Sequence, residues 1–245
     1  MKKRMMIMKT KIMMASRKLK IPRKTNFWSV TPTPATHRKQ DSIPMLILLR
    51  DYLKLGDKER EITRILNNNM VKVDGRIVKD RRFPVGFMDV LSIDTLEDEY
   101  IVVYDRKGKL VARINSPENK GFKLFKVVKK TVVGTGKIQL GFHDGKTIVT
   151  DRKDVNTSDV LLMKIPDLEI VNVLKIADGD KVLITGGSHV GELATIKSIE
   201  VKKSSVNNMV HLNEGFSTIK DYIFVVGTPK YTFKTPESGV SINDE

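Results

Sequence analysis

The chain of 245 residues carries 44 Lys plus Arg against 29 Asp plus Glu, a formal charge of +15 that favours a polyanionic partner. Its 40% hydrophobic content allows a core and excludes global disorder. Absence of cysteine removes disulfides, thiolate zinc sites and cysteine nucleophiles, and no run of about 18 apolar residues offers a membrane span.

The surplus is unevenly placed. Residues 1–40 hold twelve Lys or Arg and no acid, leaving a net of only +3 over residues 41–245. Residues 1–42 are therefore predicted to be a basic, extended arm, since Pro22, Pro32 and Pro34 interrupt helices and the charge opposes collapse. Lys9 and Lys11 break the apolar start, so it resembles a secretory leader only superficially. Residues 1–13 look surplus, with Met14-Ala15 a natural initiation pair. Within the arm, Arg17, Lys18, Lys20, Arg23, Lys24, Arg38 and Lys39 are candidate phosphate contacts, and His37 beside them is a candidate RNA contact too. Phe27 and Trp28 either stack on unpaired bases or pin the arm to the protein body; Trp28 is taken as a candidate RNA contact.

Structure is expected to begin at Ile43. Pro44 suits a first helical turn, and MLILLRDYLKL reads as a helix ended by Gly56. Asp57 is a candidate N-cap for a second helix, EREITRILNN, with Ile62, Ile65 and Leu66 on its core face. Lys58, Arg60 and Arg64 lie off that face. Strands Val71–Val73 and Arg76–Val78 flank an Asp74-Gly75 turn, a strong hairpin signal. A basic loop with Lys79, Arg81 and Arg82, all candidate RNA contacts, leads to a strand at Val90–Ile93. From about Tyr100 only short β-branched runs recur, first over 100–172, then, after a break at Ile165-Pro166-Asp167, over 173–228. Residues 229–245 form a polar tail.

Catalytic patterns are weak. Gly134-Thr135-Gly136-Lys137 reads as a turn, because a P-loop needs a longer glycine loop opening a helix. His37, His143, His189 and His211 have no metal-ligand spacing. No catalytic residue, metal or cofactor is expected.

Two segments carry resemblances. Residues 43–94, with Asn69-Met70-Val71-Lys72-Val73-Asp74-Gly75, resemble the α-L RNA-binding motif, which would gather Lys58, Arg60, Arg64 and Lys79 into one phosphate-facing cluster. Residues 177–199 resemble a KOW element through Gly179-Asp180, Val182, Ile184, Gly186, Gly187 and Gly191, departing from it at Ala194. Gly187, Ser188 and His189 would then form an RNA-facing loop tip. In order, basic arm, α-L motif, a β domain with Gln139–Gly145, then KOW is similar to the archaeal and eukaryotic (e-type) fourth protein of the small ribosomal subunit, over roughly residues 16–228. The phrases LLRDYLKL, VDGR, KDRRFPVGFMDV and ITGG carry it.

That resemblance implies a multi-domain α+β, mostly β protein. Its expected parts are an arm (1–42), an α-L module of two helices and a hairpin (43–99), a central β domain (100–172), an SH3-like KOW barrel (173–228) and a tail (229–245). It implies binding to small-subunit rRNA among neighbouring ribosomal proteins, in cytoplasmic ribosomes. Catalysis, membrane attachment and homo-oligomer formation are not expected. The alternatives are a KOW-containing transcription factor and an RNA-modification factor. The latter would need a large α/β catalytic domain where this chain has short strands.

Overall fold

A computed structural model describes residues 9–134, 136–203, 207–229 and 231–234. They fall into two compact units, one built on residues up to 103 with 109–114, the other on 104–108 and the residues from 115 on. Among the described residues, no helix is long and apolar enough to cross a membrane.

The first unit opens with a correction. Strand β1 (Lys9–Lys11) pairs antiparallel with β2 (Trp28–Val30), and Ile12, Ala15 and Leu19 are buried. Residues 9–13 are thus part of the fold, and the arm from Lys9 on is tied down. Lys18 Nζ meets Asp41 at 2.6 Å, and the Lys20 amide donates to the Tyr52 hydroxyl at 2.7 Å. Burial pushes that phenol up to about 12. Leu19 makes a parallel bridge to Leu110, and the Leu110 amide donates to the Lys18 carbonyl. Composition reveals none of this, because each anchor pairs residues far apart in sequence.

Strand β3 (Ser42–Pro44) ends in a proline with extended backbone, so Pro44 caps the first helix from outside it. The first two helical amides, Met45 and Leu46, donate to the carbonyls of Phe83 and Arg81, which answers their lack of intrahelical partners. Helix α1 (Met45–Ile47) continues as a π-type helix over Leu48–Tyr52, and Met45 to Leu49 are buried. It stops before Gly56; Lys54 takes the left-handed conformation at φ 52°. Helix α2 (Glu59–Asn67) starts after Lys58, not at an Asp57 cap. Glu61 reaches back instead, its Oε2 accepting from the amides of Asp57 (2.9 Å) and Lys58 (3.2 Å). Those bonds, Lys58 first, hold its carboxyl below the ordinary range. Ile62 and Leu66 are buried; Ile65 is only half-buried.

The expected hairpin forms from β4 (Val71–Val73) and β5 (Arg76–Ile77), turning through Asp74 at φ 50° and Gly75 at φ 75°. The Asp74 carboxylate accepts from the Val90 amide at 3.0 Å, joining the turn to the next strand. Strand β6 (Pro84–Gly86) pairs with β3. Strands β7 (Val90–Ile93), β8 (Glu99–Tyr104) and β9 (Leu110–Ile114) complete a sheet of order β5-β4-β7-β8-β9. The sequence puts residue 100 at the start of a central domain, yet β8 and β9 extend this sheet. Periodicity identifies a strand without saying which sheet it joins.

In the second unit, β10 (Phe122–Val133), β11 (Lys137–Phe142), β12 (Thr147–Thr150), β13 (Val160–Lys164) and β14 (Glu169–Leu174) form an antiparallel sheet of order β12-β11-β10-β13-β14. A bulge between Val127 and Lys129 lets the first half of β10 pair with β13 and the second half with β11. The Ile165-Pro166-Asp167 segment, expected as a break between domains, is the turn of the β13–β14 hairpin. Strands β15 (Lys181–Ile184), β16 (Leu193–Glu200), β17 (Met209–Leu212), β18 (Ser217–Ile219), β19 (Ile223–Thr228) and β20 (Tyr231–Thr232) form a second antiparallel sheet. Its order is β18-β17-β16-β15-β19-β20; the start of β16 pairs with β15 and the rest with β17, with a register shift in the β17 pairing between Ile196 and Ser198. Buried Lys126 ties the two sheets, its Nζ donating to the carbonyls of Asp221 and Ile223, each at 2.7 Å.

Candidate nucleic-acid interface

Helix α2 buries one face, so every third or fourth residue off that face is free to project. Arg60 and Arg64 are such residues, and with Thr63, Asn67 and Asn68 they line a groove of about 550 Å³. Arg81, from the loop before β6, joins them. Glu59 lies on the same wall and pairs with Arg81, which positions that guanidinium beside the helix. The groove thus offers three planar five-donor guanidiniums and two carboxamides within one concavity, donors suited to bridging phosphate oxygens. Thr63, Asn67 and Asn68 were not singled out from sequence; their position one turn along from Arg60 and Arg64 is the signal that marks them.

Other predicted residues divide by surroundings. Lys58 and Lys79 are exposed, as are Arg17, Lys20, Lys24, Arg38 and Lys39. Arg23 is engaged internally, donating to the carbonyls of Ala15 at 3.1 Å and Ser16 at 2.6 Å. Lys18 is shared with Asp41. Arg82 is buried, its Nε donating to the Thr31 carbonyl at 3.0 Å, so it holds the arm to the loop instead of facing outward. His37 is buried too, its Nε2 lying 2.9 Å from the Asp89 carboxylate. The same carboxylate accepts from the Gly86 amide at 2.8 Å. The expectation that Arg82 and His37 contact RNA therefore gives way to roles in packing, a result of pairings 51 and 52 positions apart.

The loop between β15 and β16 has a closed root and an open tip. The Tyr222 ring lies against Gly186, where a Cβ would stand 2.5 Å away, and Thr185 donates to the Tyr222 carbonyl. Gly191, at φ 82°, abuts the Asp105 backbone, with only 2.5 Å for a Cβ. Gly187 at φ 92° and Ser188 are exposed. His189 is held on two sides: it stacks at 3.9 Å and 14° on Phe216, from the turn between β17 and β18, and its Nδ1 lies 3.0 Å from Glu192 of its own loop.

A mostly β protein of small antiparallel sheets with an arginine-lined groove has a surface whose donors suit a polyanion. The model of the ribosomal S4e family matches residues 96–170. The small ribosomal subunit protein eS4 of Picrophilus torridus is 63% identical over 233 residues, covering 95% of this chain and 99% of the relative. That of Thermoplasma volcanium is 49% identical, covering 96% and 99%. The crystal structure of 30S ribosomal protein S4e from Thermoplasma acidophilum matches with a TM-score of 0.71 and 47% identity, covering 79% of this chain and 99% of that one. The chain belongs to the S4e family of small ribosomal subunit proteins.

Proposed function

We propose that this chain is a structural component of the small ribosomal subunit that binds rRNA chiefly through the α2 groove, without catalysis, in cytoplasmic ribosomes. The exposed cations of the arm, Arg17, Lys20, Lys24, Arg38 and Lys39, extend the contact, and the tip at Gly187 and Ser188 adds one in the second unit. Within this reading the two helices and the β4–β5 hairpin are an α-L module, and the six-stranded sheet is an SH3-like KOW barrel. The protein joins the subunit as a single copy beside other ribosomal proteins. The relatives' names lend nothing to a transcription factor or an RNA-modifying enzyme.

The observation that carries the reading is the convergence of Arg60, Arg64 and Arg81 on one groove. Changing Arg60 and Arg64 together to Ala should weaken binding to small-subunit rRNA by roughly 1.5–3 kcal/mol for each charge-assisted hydrogen bond removed. Both side chains are exposed, so the circular dichroism spectrum and melting temperature should stay close to the parent's. Filter binding at fixed salt reads the first quantity. Undiminished affinity in the double variant would show that the groove is only solvated.

A further inference from the structure

Beside the arginine groove lies a second concavity that phosphate binding leaves unexplained. It is a cleft of about 400 Å³ between the Asn26–Trp28 segment and the helical segment that carries Arg50 and Asp51. Phe27 and Trp28 are 63% and 54% exposed, large apolar rings in contact with water. They pack edge to face at 4.9 Å and 80°, with Lys11 Nζ 5.6 Å from the Phe27 centroid, contacts that restrict the rings without covering them. The polar wall differs from the arginine groove in being a balanced ion pair. The Asp51 carboxylate is held by Arg50 in a two-point pair at 2.7 and 2.9 Å, and Asn26 adds an amide. Paired with Arg50, that carboxylate leaves no net charge to draw a phosphate, yet its oxygens keep lone pairs that accept from N–H donors. Flat apolar rings beside an acceptor match a nucleobase, which has a π-face and a donor-bearing edge. Guanine presents two donors side by side.

The neighbouring groove argues for a polynucleotide over a peptide. Glu59 lies on the walls of both concavities, and its charge is taken up by Arg81. A strand with its phosphates along Arg60, Arg64 and Arg81 therefore passes the mouth of the cleft. We propose that the cleft takes an unpaired nucleobase of the bound RNA, stacked on Trp28 with its donor edge toward Asp51, guanine being the best match. This rests on the RNA-binding reading above.

Trp28 is the chain's one tryptophan, so its emission reports the cleft alone. The full chain is titrated with two end-labelled single-stranded RNAs of equal length, one of uridines only and one with a central guanosine. Label anisotropy reads binding, and tryptophan emission reads stacking. Both RNAs should bind, and the guanosine RNA should quench Trp28 more strongly. Trp28→Ala should weaken the guanosine RNA by roughly 5- to 150-fold, and Trp28→Phe should restore most of the loss. Binding without quenching, or equal quenching by the uridine RNA, overturns the cleft and leaves RNA binding standing. No anisotropy change with either RNA removes the RNA-binding reading, and the cleft falls with it.

Discussion

A Cβ at Gly86 would stand 2.3 Å from Nδ1 of His37, whose ring lies flat against the glycine backbone while its other nitrogen faces Asp89. Gly86→Ala should therefore lower stability by about 1–3 kcal/mol or more, seen as a lower thermal midpoint, because neither buried partner has room to retreat. The loop glycines separate in the same way. Gly191→Val meets both positive φ and the Asp105 carbonyl, and should destabilise the second unit. At Gly187 the nearest atom to an added Cβ is 3.8 Å away, so Gly187→Val should cost only backbone strain, about 1–3 kcal/mol. A smaller drop in melting temperature for Gly187→Val, with reduced rRNA binding, is the expected pattern; equal drops would mean both positions are structural. The glycines of ITGG were legible as a loop from sequence. Gly86 was not, because its requirement comes from a histidine 49 positions earlier.

Lys126 shows how an element can be held by a charge that its surroundings disfavour. Burial lowers its pKa from 10.5 to about 8, Asp221 opposing and Lys220 adding to the shift. Between those values the folded chain sheds a proton that the unfolded chain keeps, so the unfolded state binds more protons and stability rises with pH. The gain from below pH 8 to above 10.5 is at most about 3 kcal/mol. In denaturant titrations across that range, the parent should gain stability relative to Lys126→Met. Parallel curves would exclude the lysine as the source. Most strands here were legible from β-branched runs and turn pairs, and β7 falls on its expected residues. The three-residue strands β1, β3 and β6 were missed, since so few residues set no period and, unlike β4, none adjoins an Asp-Gly turn that would mark it. The helix at Met45 was legible as apolar, yet its start depends on carbonyls of Arg81 and Phe83 that no local pattern announces.

Taken over the whole molecule, the +15 charge predicts an affinity for RNA that falls steeply with salt. Each phosphate left without its cation should flatten the slope of log K against log salt by about 0.7–0.9, so Arg60→Ala with Arg64→Ala should remove up to about two such increments. A slope unchanged in the double variant would place the phosphate-binding cations elsewhere. Charge and residue order made the class of partner legible; which cations are free to meet it was not, because Arg23, Arg82 and His37 are spent on internal partners. The bridge from Leu19 to Leu110 adds a matter of timing. At roughly 5–20 residues per second, the ninety or so residues between them take about 5–20 seconds to synthesise. Through that interval the arm can be held only by partners made earlier, such as the β1–β2 pairing, Asp41 and Tyr52, while its tie to β9 waits. The arm is thus closed in two stages, first on its own neighbours in sequence and then by an edge strand made some ninety residues later.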